Sequence, residues 1–349
     1  MRLQTIRDID VRNKVVLLRA DYNVPLDEEQ NITSDLRIVT SLPTLQYLLD
    51  NGAKKIVIIS HLGRPEGEDE KLSLRPVAAR LAQLLNEKVG FAPLPKAPLT
   101  NQERVVLLEN LRFDAGEEQN SPEFIKNIID QVAPDFYVQD GFAVIHRAHA
   151  STDAVAKFLP VYAGLLIENE VEKLSKVTEN PEHPFVVIIG GSKIEDKQPL
   201  IEKFLDTADK IIVGGKIAAD GYEATSDKIY VAEDFDEDLS GTKLDIGPLA
   251  TVKIAEILKD AKTVVWNGLL GKAEDPAYAT SSTVVAEILG ETEGINAVIC
   301  GGDTTGFVTE LLTEHANLSY SLISTGGGAA LEFLLGQDLP GLKAIKKAN

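Results

Sequence analysis

Basic side chains follow four short apolar runs in the first half of the chain, at the points where predicted strands end. The runs cover residues 15–18, 56–59, 105–108 and 136–138, in a chain with a formal charge of −19. The basic residues that follow these runs are Arg19, His61, Arg64, Arg112, His146, Arg147 and His149. Parallel α/β sheets bind ligands beyond the carboxyl ends of their strands. Arginine suits phosphate and carboxylate because its planar fork donates two parallel hydrogen bonds. A single arginine there is most simply a surface residue, but four such ends together predict a concentrated anion site.

The apolar runs of the second half end in glycine instead. Residues 185–189, 211–213, 297–300 and 322–325 are each followed by two or three glycines. These pairs and triples are Gly190-Gly191, Gly214-Gly215, Gly301-Gly302 and Gly326-Gly327-Gly328. Glycine lets a backbone approach a ligand closely and adopt positive φ. Four such ends favour a nucleotide lying across them over ordinary tight turns, although neither GxGxxG nor GxxxxGK[ST] occurs.

Two lysines and one aspartate stand beside these glycines. Lys193 and Lys197 are four residues apart, so a first helical turn would place them on one face. A helix N-terminus also attracts anions, and the pair is therefore a candidate for holding a phosphoryl group; the alternative is two solvated surface lysines. Pro199 could interrupt such a turn. Asp303 could hold Mg²⁺, which takes one or two carboxylates plus phosphate oxygens, or could cap a helix.

The elements that must position these residues alternate along the whole chain. Short apolar runs alternate with amphipathic stretches, which predicts parallel sheets built from βαβ units. The chain has 349 residues, enough for more than one domain. Apolar residues at helical spacing near residue 170 predict a connecting helix that ends before Pro181. The predicted limits are an N-terminal domain 1–162, a connecting helix 163–181, a C-terminal domain 182–333 and a tail 334–349.

Composition excludes several classes of protein. A sequence pI near 4.7 argues against a nucleic-acid surface, which needs clustered cations over a broad face. No apolar run approaches the ~20 residues of a membrane-spanning helix, and the N-terminus lacks the apolar core of a signal peptide. The one cysteine, Cys300, excludes a disulfide framework and fits a reducing cytoplasm. We therefore expect a cytoplasmic protein with small, enclosed anionic ligands and no nucleic-acid or membrane partner.

Taken in order, the motifs resemble the phosphoglycerate kinase family over essentially the full chain. The resembling blocks are residues 19–25, 60–65, 109–113, 146–151, 190–197, 245–248, 266–268, 301–304 and 324–331. The resemblance implies an α/β fold of two lobes with a cleft between them, each lobe a parallel sheet flanked by helices in three layers. It implies a transferase of glycolysis and gluconeogenesis, a kinase that moves a phosphoryl group between 1,3-bisphosphoglycerate and Mg-ADP. The products are 3-phosphoglycerate and ATP, formed by in-line transfer after hinge closure of the lobes.

The resemblance also implies roles for individual residues. The phosphoglycerate side would be bound by Asp21, Asn23, Arg37, His61, Arg64, Arg112 and Arg147. The nucleotide side would be formed by Gly191, Lys193, Lys197, Gly214, Gly215, Asn267, Glu274, Gly301, Gly302, Asp303 and Thr304. Arg37 and Lys193 would be catalytic, and Asp303 would hold the Mg²⁺ cofactor, with ATP or ADP as co-substrate. No general base is expected, since an acyl phosphate and an ADP oxygen exchange a phosphoryl group with no proton to remove. The tail would return to the first lobe, and the protein would be a monomer.

Departures from the family pattern concentrate on the nucleotide lobe. They are Gln139, Val213, Lys216, Leu249, Ala250, Leu269, Leu270 and Cys300, together with a much shortened segment between Gly215 and Asp245. These departures predict an altered adenosine wall and relaxed base specificity. Two alternatives stay open: a related acyl-phosphate kinase with altered nucleotide preference, and a non-catalytic anion-binding protein on the same fold. Retention of Arg37, Lys193, Lys197 and Asp303 together disfavours the second.

Overall fold

A computed structural model describes residues 3–95 and 97–345 of the chain. The chain divides into two compact units, the first comprising Met1–Val171 with Asp338–Asn349 and the second comprising Glu172–Gln337. The first two residues of the predicted domain 1–162, its Lys96 and the last four residues of the predicted tail 334–349 lie outside the described residues.

The first unit is built on a six-stranded sheet in which every neighbouring pair is parallel. Its strands are β1 (Val15–Arg19), β2 (Lys55–Ile59), β3 (Val89–Ala92), β4 (Val105–Leu108), β5 (Phe136–Gln139) and β6 (Val161–Ala163), in the order β3-β4-β2-β1-β5-β6. The central strands are almost wholly buried, as the uninterrupted apolar runs predict for a sheet covered on both faces.

Helices cover this sheet. They are α1 (Leu36–Val39), α2 (Leu42–Asp50), α3 (Arg75–Leu85), α4 (Pro122–Val132) and the first part of α5 (Leu165–Glu179). The start of α4 shows how local sequence sets a helix boundary. Ser121 accepts a hydrogen bond from the Phe124 amide at 3.3 Å, and Pro122 occupies the first turn, where its missing N–H costs nothing.

The second unit repeats this plan. Its parallel sheet contains β7 (Phe185–Ile189), β8 (Lys210–Val213), β9 (Ile229–Val231), β12 (Thr263–Asn267), β13 (Asn296–Cys300) and β14 (Leu322–Ile323), in the order β14-β13-β12-β7-β8-β9. A separate antiparallel pair comprises β10 (Phe235–Glu237) and β11 (Lys243–Ile246). The helices are α6 (Gln198–Leu205), α7 (Gly215–Ala219), α8 (Pro248–Leu258), α9 (Thr280–Glu291), α10 (Gly302–Glu314) and α11 (Gly328–Leu334). The expected α/β class, two parallel sheets flanked by helices, is confirmed.

The two units part within α5, inside the stretch 163–181 for which the sequence predicts a connecting helix. The last helix, α12 (Pro340–Ala344), belongs to the first unit, and its Gly341 amide donates to the Ile145 carbonyl at 2.8 Å. The domain limits given above stay a prediction. No helix in the described part of the chain has the length and apolar character that crossing a membrane requires.

Strand order explains why residues far apart in sequence meet. β4, β2, β1 and β5 are adjacent in the first sheet, and β13, β12, β7 and β8 are adjacent in the second. All of them are parallel, so within each sheet their carboxyl ends lie along one edge. The basic strand ends of the first half therefore lie along one edge of the first sheet. The four glycine-rich strand ends of the second half lie along one edge of the second sheet, with that of β14 at its end.

Candidate active site

His61 lies at the centre of the basic cluster in the first unit. It lies two residues after the end of β2 and is 3 % exposed. Its Nδ1 lies 3.1 Å from Nη2 of Arg19 and 3.9 Å from Oδ1 of Asp21. Burial lowers the pKa of His61 well below its usual value, and the nearby cations Arg19, Arg112 and Arg37 lower that pKa further. The positive field of this cluster can therefore be balanced by a bound anion.

Asp21 and Asn23, which follow β1, organise the cluster. The Asp21 carboxylate forms a close ion pair with the Arg37 guanidinium, which α1 supplies. The Asn23 side-chain oxygen accepts a hydrogen bond from the Gly63 amide at 2.8 Å. Burial lowers the pKa of Arg37. These contacts tie the loops after β1 and β2 to each other and hold Arg37 against them.

Arg112 and Arg147 come from the ends of the two flanking strands. Nη1 of Arg112 donates to the Gly63 carbonyl at 2.6 Å, and its Nε lies 3.1 Å from Oε1 of Glu118. Burial, with Arg19 and Arg147 nearby, lowers the pKa of Arg112 to about 10 although Glu118 opposes that change. Nε of Arg147 lies 3.2 Å from Nε2 of His146. Both guanidinium groups therefore belong to the same electrostatic cluster as His61.

Arg64 is the one predicted phosphoglycerate-side residue that stands apart. It is exposed in the loop after β2. Among the residues that the structure describes, none forms a hydrogen bond or ion pair with its guanidinium. The structure thus brings six of the seven predicted residues together and leaves Arg64 exposed in the loop after β2.

Two buried residues near the cluster were not singled out from the sequence. Asn110 is fully buried; its side chain donates to the carbonyls of Leu62 (2.7 Å) and Leu72 (3.0 Å) and accepts from the amides of Leu62 and Arg112. Glu117 is also fully buried and accepts from the Ser151 amide (3.0 Å) and hydroxyl (2.6 Å). Asn110 lies two residues after the end of β4, a position that could have indicated it. Nothing in the sequence around Glu117 distinguishes it from a surface acid.

The second unit contains a cavity of about 490 Å³ at the ends of β7, β8, β12 and β13. Nine of the eleven predicted nucleotide-side residues line it: Gly191, Lys193, Lys197, Gly215, Glu274, Gly301, Gly302, Asp303 and Thr304. The other two lie behind the wall. Gly214 packs against the Leu270 side chain, and Asn267 is buried and hydrogen-bonded to Lys197. The volume is of the size that small-molecule sites usually have.

Close backbone packing at the end of β7 explains one of the glycines. The Gly190 amide donates to the Asn267 carbonyl at 3.0 Å, and the Gly191 amide donates to the Leu269 carbonyl at 2.8 Å. A Cβ at Gly190 would lie 2.2 Å from the Leu269 carbonyl oxygen. Only glycine permits this approach, which draws the loops after β7 and β12 together at the floor of the cavity.

Lys193 and Lys197 both line the cavity, but not from the helical turn expected from their spacing. Residues 193–197 form a loop and turn, and α6 begins only at Gln198, with Pro199 in its first turn. The helical interpretation was wrong because proline favours the start of a helix over its interior. Lys197 is half-buried and donates from Nζ to the Asn267 side-chain oxygen. Burial lowers its pKa, opposed by Asp196 and Asp303.

Asp303 is exposed at the cavity. It does not cap α10, as one interpretation of the sequence had it: Gly301 is the N-cap residue, and Asp303 lies within the first turn. Thr304 accepts a hydrogen bond from the Gly268 amide through its hydroxyl at 2.9 Å, so its side chain holds the loop after β12. No group of three or more acidic, histidine or cysteine side chains suited to a metal occurs in residues 3–95 and 97–345. One carboxylate beside two lysines fits Mg²⁺ that is held mainly by phosphate oxygens.

Some of the residues that depart from the family pattern line the cavity, and others do not. Lys216, Leu269 and Leu270 line the cavity, as expected of an altered wall. Val213 is buried in β8 and Leu249 is 76 % exposed on α8, so neither contributes to the lining. The glycines at 326–328 also lie away from it, because β14 is an edge strand beyond β13. Phe235, Lys243 and Leu244, from β10 and β11, complete this side of the cavity.

Comparison with known proteins agrees with this geometry. The model of the phosphoglycerate kinase family matches residues 6–239 and 219–337. Relatives named phosphoglycerate kinase from Coprothermobacter proteolyticus and Fervidobacterium nodosum are 40% and 38% identical, with 99% of this chain covered and 99% and 98% of theirs. The Coprothermobacter alignment spans 398 positions against 349 residues here, in keeping with a shortened segment.

Solved structures give the same result. The phosphoglycerate kinases of Coxiella burnetii and Pyrococcus horikoshii superpose with TM-scores of 0.80 and 0.85 at 33% and 27% identity, each covering 98% of both chains. Each match therefore includes nearly the whole of both units. This chain therefore belongs to the phosphoglycerate kinase family.

Proposed function

We propose that this chain transfers a phosphoryl group between 1,3-bisphosphoglycerate and Mg-ADP, giving 3-phosphoglycerate and ATP. It is then a phosphotransferase with a carboxyl group as acceptor, an enzyme of glycolysis and gluconeogenesis. The cluster around His61 binds the phosphoglycerate, and the cavity of the second unit binds the nucleotide. Membership of the family supports this activity over both a kinase of altered substrate class and a non-catalytic binding protein.

The observation that carries the proposal is the meeting of Lys193, Lys197 and Asp303 at one cavity. Two ammonium groups and a carboxylate that line one cavity suit a nucleoside diphosphate with its metal. Lys197 is oriented by Asn267 and faces the phosphates. Lys193 stabilises the charge on the group in transit, where positioned cations act.

Mg²⁺ would be held by Asp303 together with phosphate oxygens of the nucleotide. When bound, the ion neutralises developing charge on those oxygens. This chain's own residues do the remaining work: Lys193 and Lys197 orient the phosphates, and Arg37 acts from the phosphoglycerate side. No residue has to remove a proton, so catalysis rests on alignment, exclusion of water and charge stabilisation.

Turnover of Lys193→Ala tests the phosphoryl-transfer role. Loss of one preorganised donor at a transition state costs roughly 10²–10³-fold in kcat, and we expect a loss of that size in a coupled assay with 3-phosphoglycerate and MgATP. Lys253→Ala is the matched control, because Lys253 is an exposed lysine of the same unit that pairs with Glu256 at 2.9 Å on the surface of α8. Near-normal kcat for Lys193→Ala would remove Lys193 from the mechanism.

Titration calorimetry tests the assignment of ligands to the two units. Arg64→Ala should weaken 3-phosphoglycerate binding and leave ADP binding unchanged, because Arg64 is an exposed residue of the loop after β2, which also carries His61. Arg12→Ala, which removes an exposed arginine paired with Asp10, should change neither affinity. Equal losses for both ligands would contradict the assignment.

We also propose that the units close on one another during turnover, since reacting atoms must come within roughly 3–3.5 Å. Small-angle scattering with both ligands at saturation should show a smaller radius of gyration than without them. A radius unchanged by the ligands would count against closure. A monomer remains our prediction for the oligomeric state.

A further inference from the structure

Hydrogen-bond chemistry determines which nitrogen of His61 carries the proton. Nη2 of Arg19 lies 3.1 Å from Nδ1 of His61, and both side chains are buried, at 1 % and 3 % exposure. A guanidinium can only donate hydrogen bonds. Nδ1 of His61 must therefore be the acceptor, with its lone pair toward Arg19. In a neutral imidazole the proton then resides on Nε2.

The charged groups around His61 keep this ring neutral. Cations face it from three elements: Arg19 at the end of β1, Arg37 on α1 and Arg112 after β4. His149, in the loop after β5, also faces the ring, but burial, with Arg112 and Arg19 nearby, lowers the pKa of His149 to about 4. The nearest acid is Asp21, 3.9 Å away through Oδ1, and its other oxygen is engaged by Arg37. Burial and the three arginines all lower the pKa of His61. A second proton on this ring would face cations on most sides.

We propose that Arg19 is a positioning residue that holds His61 as the neutral tautomer with hydrogen on Nε2. His61 then serves the anionic ligand as an oriented hydrogen-bond donor and not as a cation. The inference rests on the proposed function for the identity of that ligand, the phosphoglycerate. In this role Arg19 contacts His61 and affects the reaction through that side chain.

Arg19 is suited to this role by its surroundings. Its Nε and Nη1 have no hydrogen-bond partner among the described residues, so within this part of the chain the hydrogen bond to His61 is the directional contact of the Arg19 guanidinium. The Glu117 carboxylate favours the charged form of Arg19 against the effect of burial, which lowers the pKa of Arg19. Burial likewise raises the pKa of Glu117, and Arg19 and the hydrogen bonds from Ser151 oppose that change. Glu117 is itself held by two hydrogen bonds from Ser151. The buried acid therefore balances the charge, and the hydrogen bond of Arg19 is left for His61.

Nitrogen-15 NMR of the imidazole rings in the unliganded protein tests the tautomer directly. The signals of the His61 ring are identified as the set that disappears from the spectrum of His61→Gln. We expect the Nδ1 shift of an unprotonated nitrogen and the Nε2 shift of a protonated one, unchanged between about pH 5.5 and pH 8, although free histidine titrates near 6.5. A proton on Nδ1, or titration of His61 within this range, would overturn the proposal.

Arg19→Met tests whether Arg19 is the cause. In this variant we expect His61 to titrate or to populate both tautomers, and 3-phosphoglycerate affinity to fall about ten- to hundredfold, as for loss of a hydrogen bond to a charged group. ADP affinity should be unchanged, and Arg12→Met is the control. An unaltered His61 spectrum in folded Arg19→Met would refute the role; if that variant does not fold, the spectrum of the natural chain decides. A confirmed tautomer without 3-phosphoglycerate binding would reject the proposed function and leave the tautomer standing.

Discussion

We expect Asp140 to make the first unit less stable as the pH rises, which is an unusual direction for a carboxyl group. This carboxyl group follows β5 and is completely buried. Its Oδ1 accepts hydrogen bonds from the Leu166 and Ile167 amides at 3.0 and 3.3 Å, at the start of α5. A Cβ at position 164 would lie 2.1 Å from Oδ1, so Gly164 is required for this contact. Burial raises the pKa of Asp140 from 3.8 to about 7, more than these hydrogen bonds lower it.

The sign of the effect follows from proton linkage. The carboxyl group of the unfolded chain loses its proton near pH 3.9, whereas in the folded chain Asp140 keeps its proton up to about pH 7. The folded state therefore binds the extra proton between these values. The contribution of this group to stability is fully present below about pH 4 and is lost as the pH rises to 7. At 1.36 kcal/mol for each pKa unit, the whole change is on the order of 4 kcal/mol.

Asp140→Asn removes the titration while keeping an acceptor oxygen for the two amides. We expect the variant to gain stability relative to the natural chain as the pH rises from about 5 to 8, by roughly 3 kcal/mol. Urea denaturation at several pH values, followed by circular dichroism, measures the difference. Asp135→Asn is the control. Asp135 lies just before β5, and its hydrogen bond with Lys14 lowers its pKa. The change in unfolding free energy caused by Asp135→Asn should therefore not vary with pH in this range. If the difference in unfolding free energy between Asp140→Asn and the natural chain stayed constant over this pH range, a raised pKa of Asp140 would be refuted.

Three further outcomes are expected. Lys197→Ala should raise the KM for ADP and lower kcat, because Lys197 lines the cavity proposed for the nucleotide and is oriented by Asn267. An unchanged KM and kcat in the coupled assay would contradict this. Asn110→Ala should destabilise the first unit by about 2–4 kcal/mol and weaken 3-phosphoglycerate binding, because it leaves buried amides and carbonyls unpaired. Urea denaturation measures the stability and calorimetry measures the binding. A loss of stability below about 1 kcal/mol would show that water replaces the side chain. GDP should be used nearly as well as ADP, since Lys216 and the shortened segment alter the wall of the cavity; an ADP preference in kcat/KM above about a hundredfold, or ~2.7 kcal/mol, would rule out the relaxed pocket.

Local sequence was enough to predict the two sheets and the edges that carry the chemistry. Fully buried parallel strands are uninterrupted apolar runs, and these are visible without any tertiary information. The residues after β2 and β7 could be identified as ligand-binding candidates because ligand sites lie beyond the carboxyl ends of parallel strands. Roles for particular residues, such as Glu274 and Asp303, came from the family resemblance, since residue type alone left a cap, a surface acid or a metal ligand open.

Strand order was decided only by the tertiary structure. The glycines at 326–328 and those at 301–302 look alike in the sequence, yet only the second pair lines the cavity. The difference is that β13 lies beside β12 whereas β14 is an edge strand. Sequence spacing does not encode which strands are neighbours, because that depends on long-range pairing across the whole sheet.

What the sequence by itself determined is the inventory: an α/β chain with cations at the strand ends of one half and glycines at those of the other. Only the tertiary structure decided how these groups act on one another. It placed Arg19 against His61 and buried Glu117 near them, and it put Asp140 at the start of α5. The physical reason is that a side chain's protonation state depends on desolvation and on charges within a few ångströms, and the residues that supply these effects are distant in sequence.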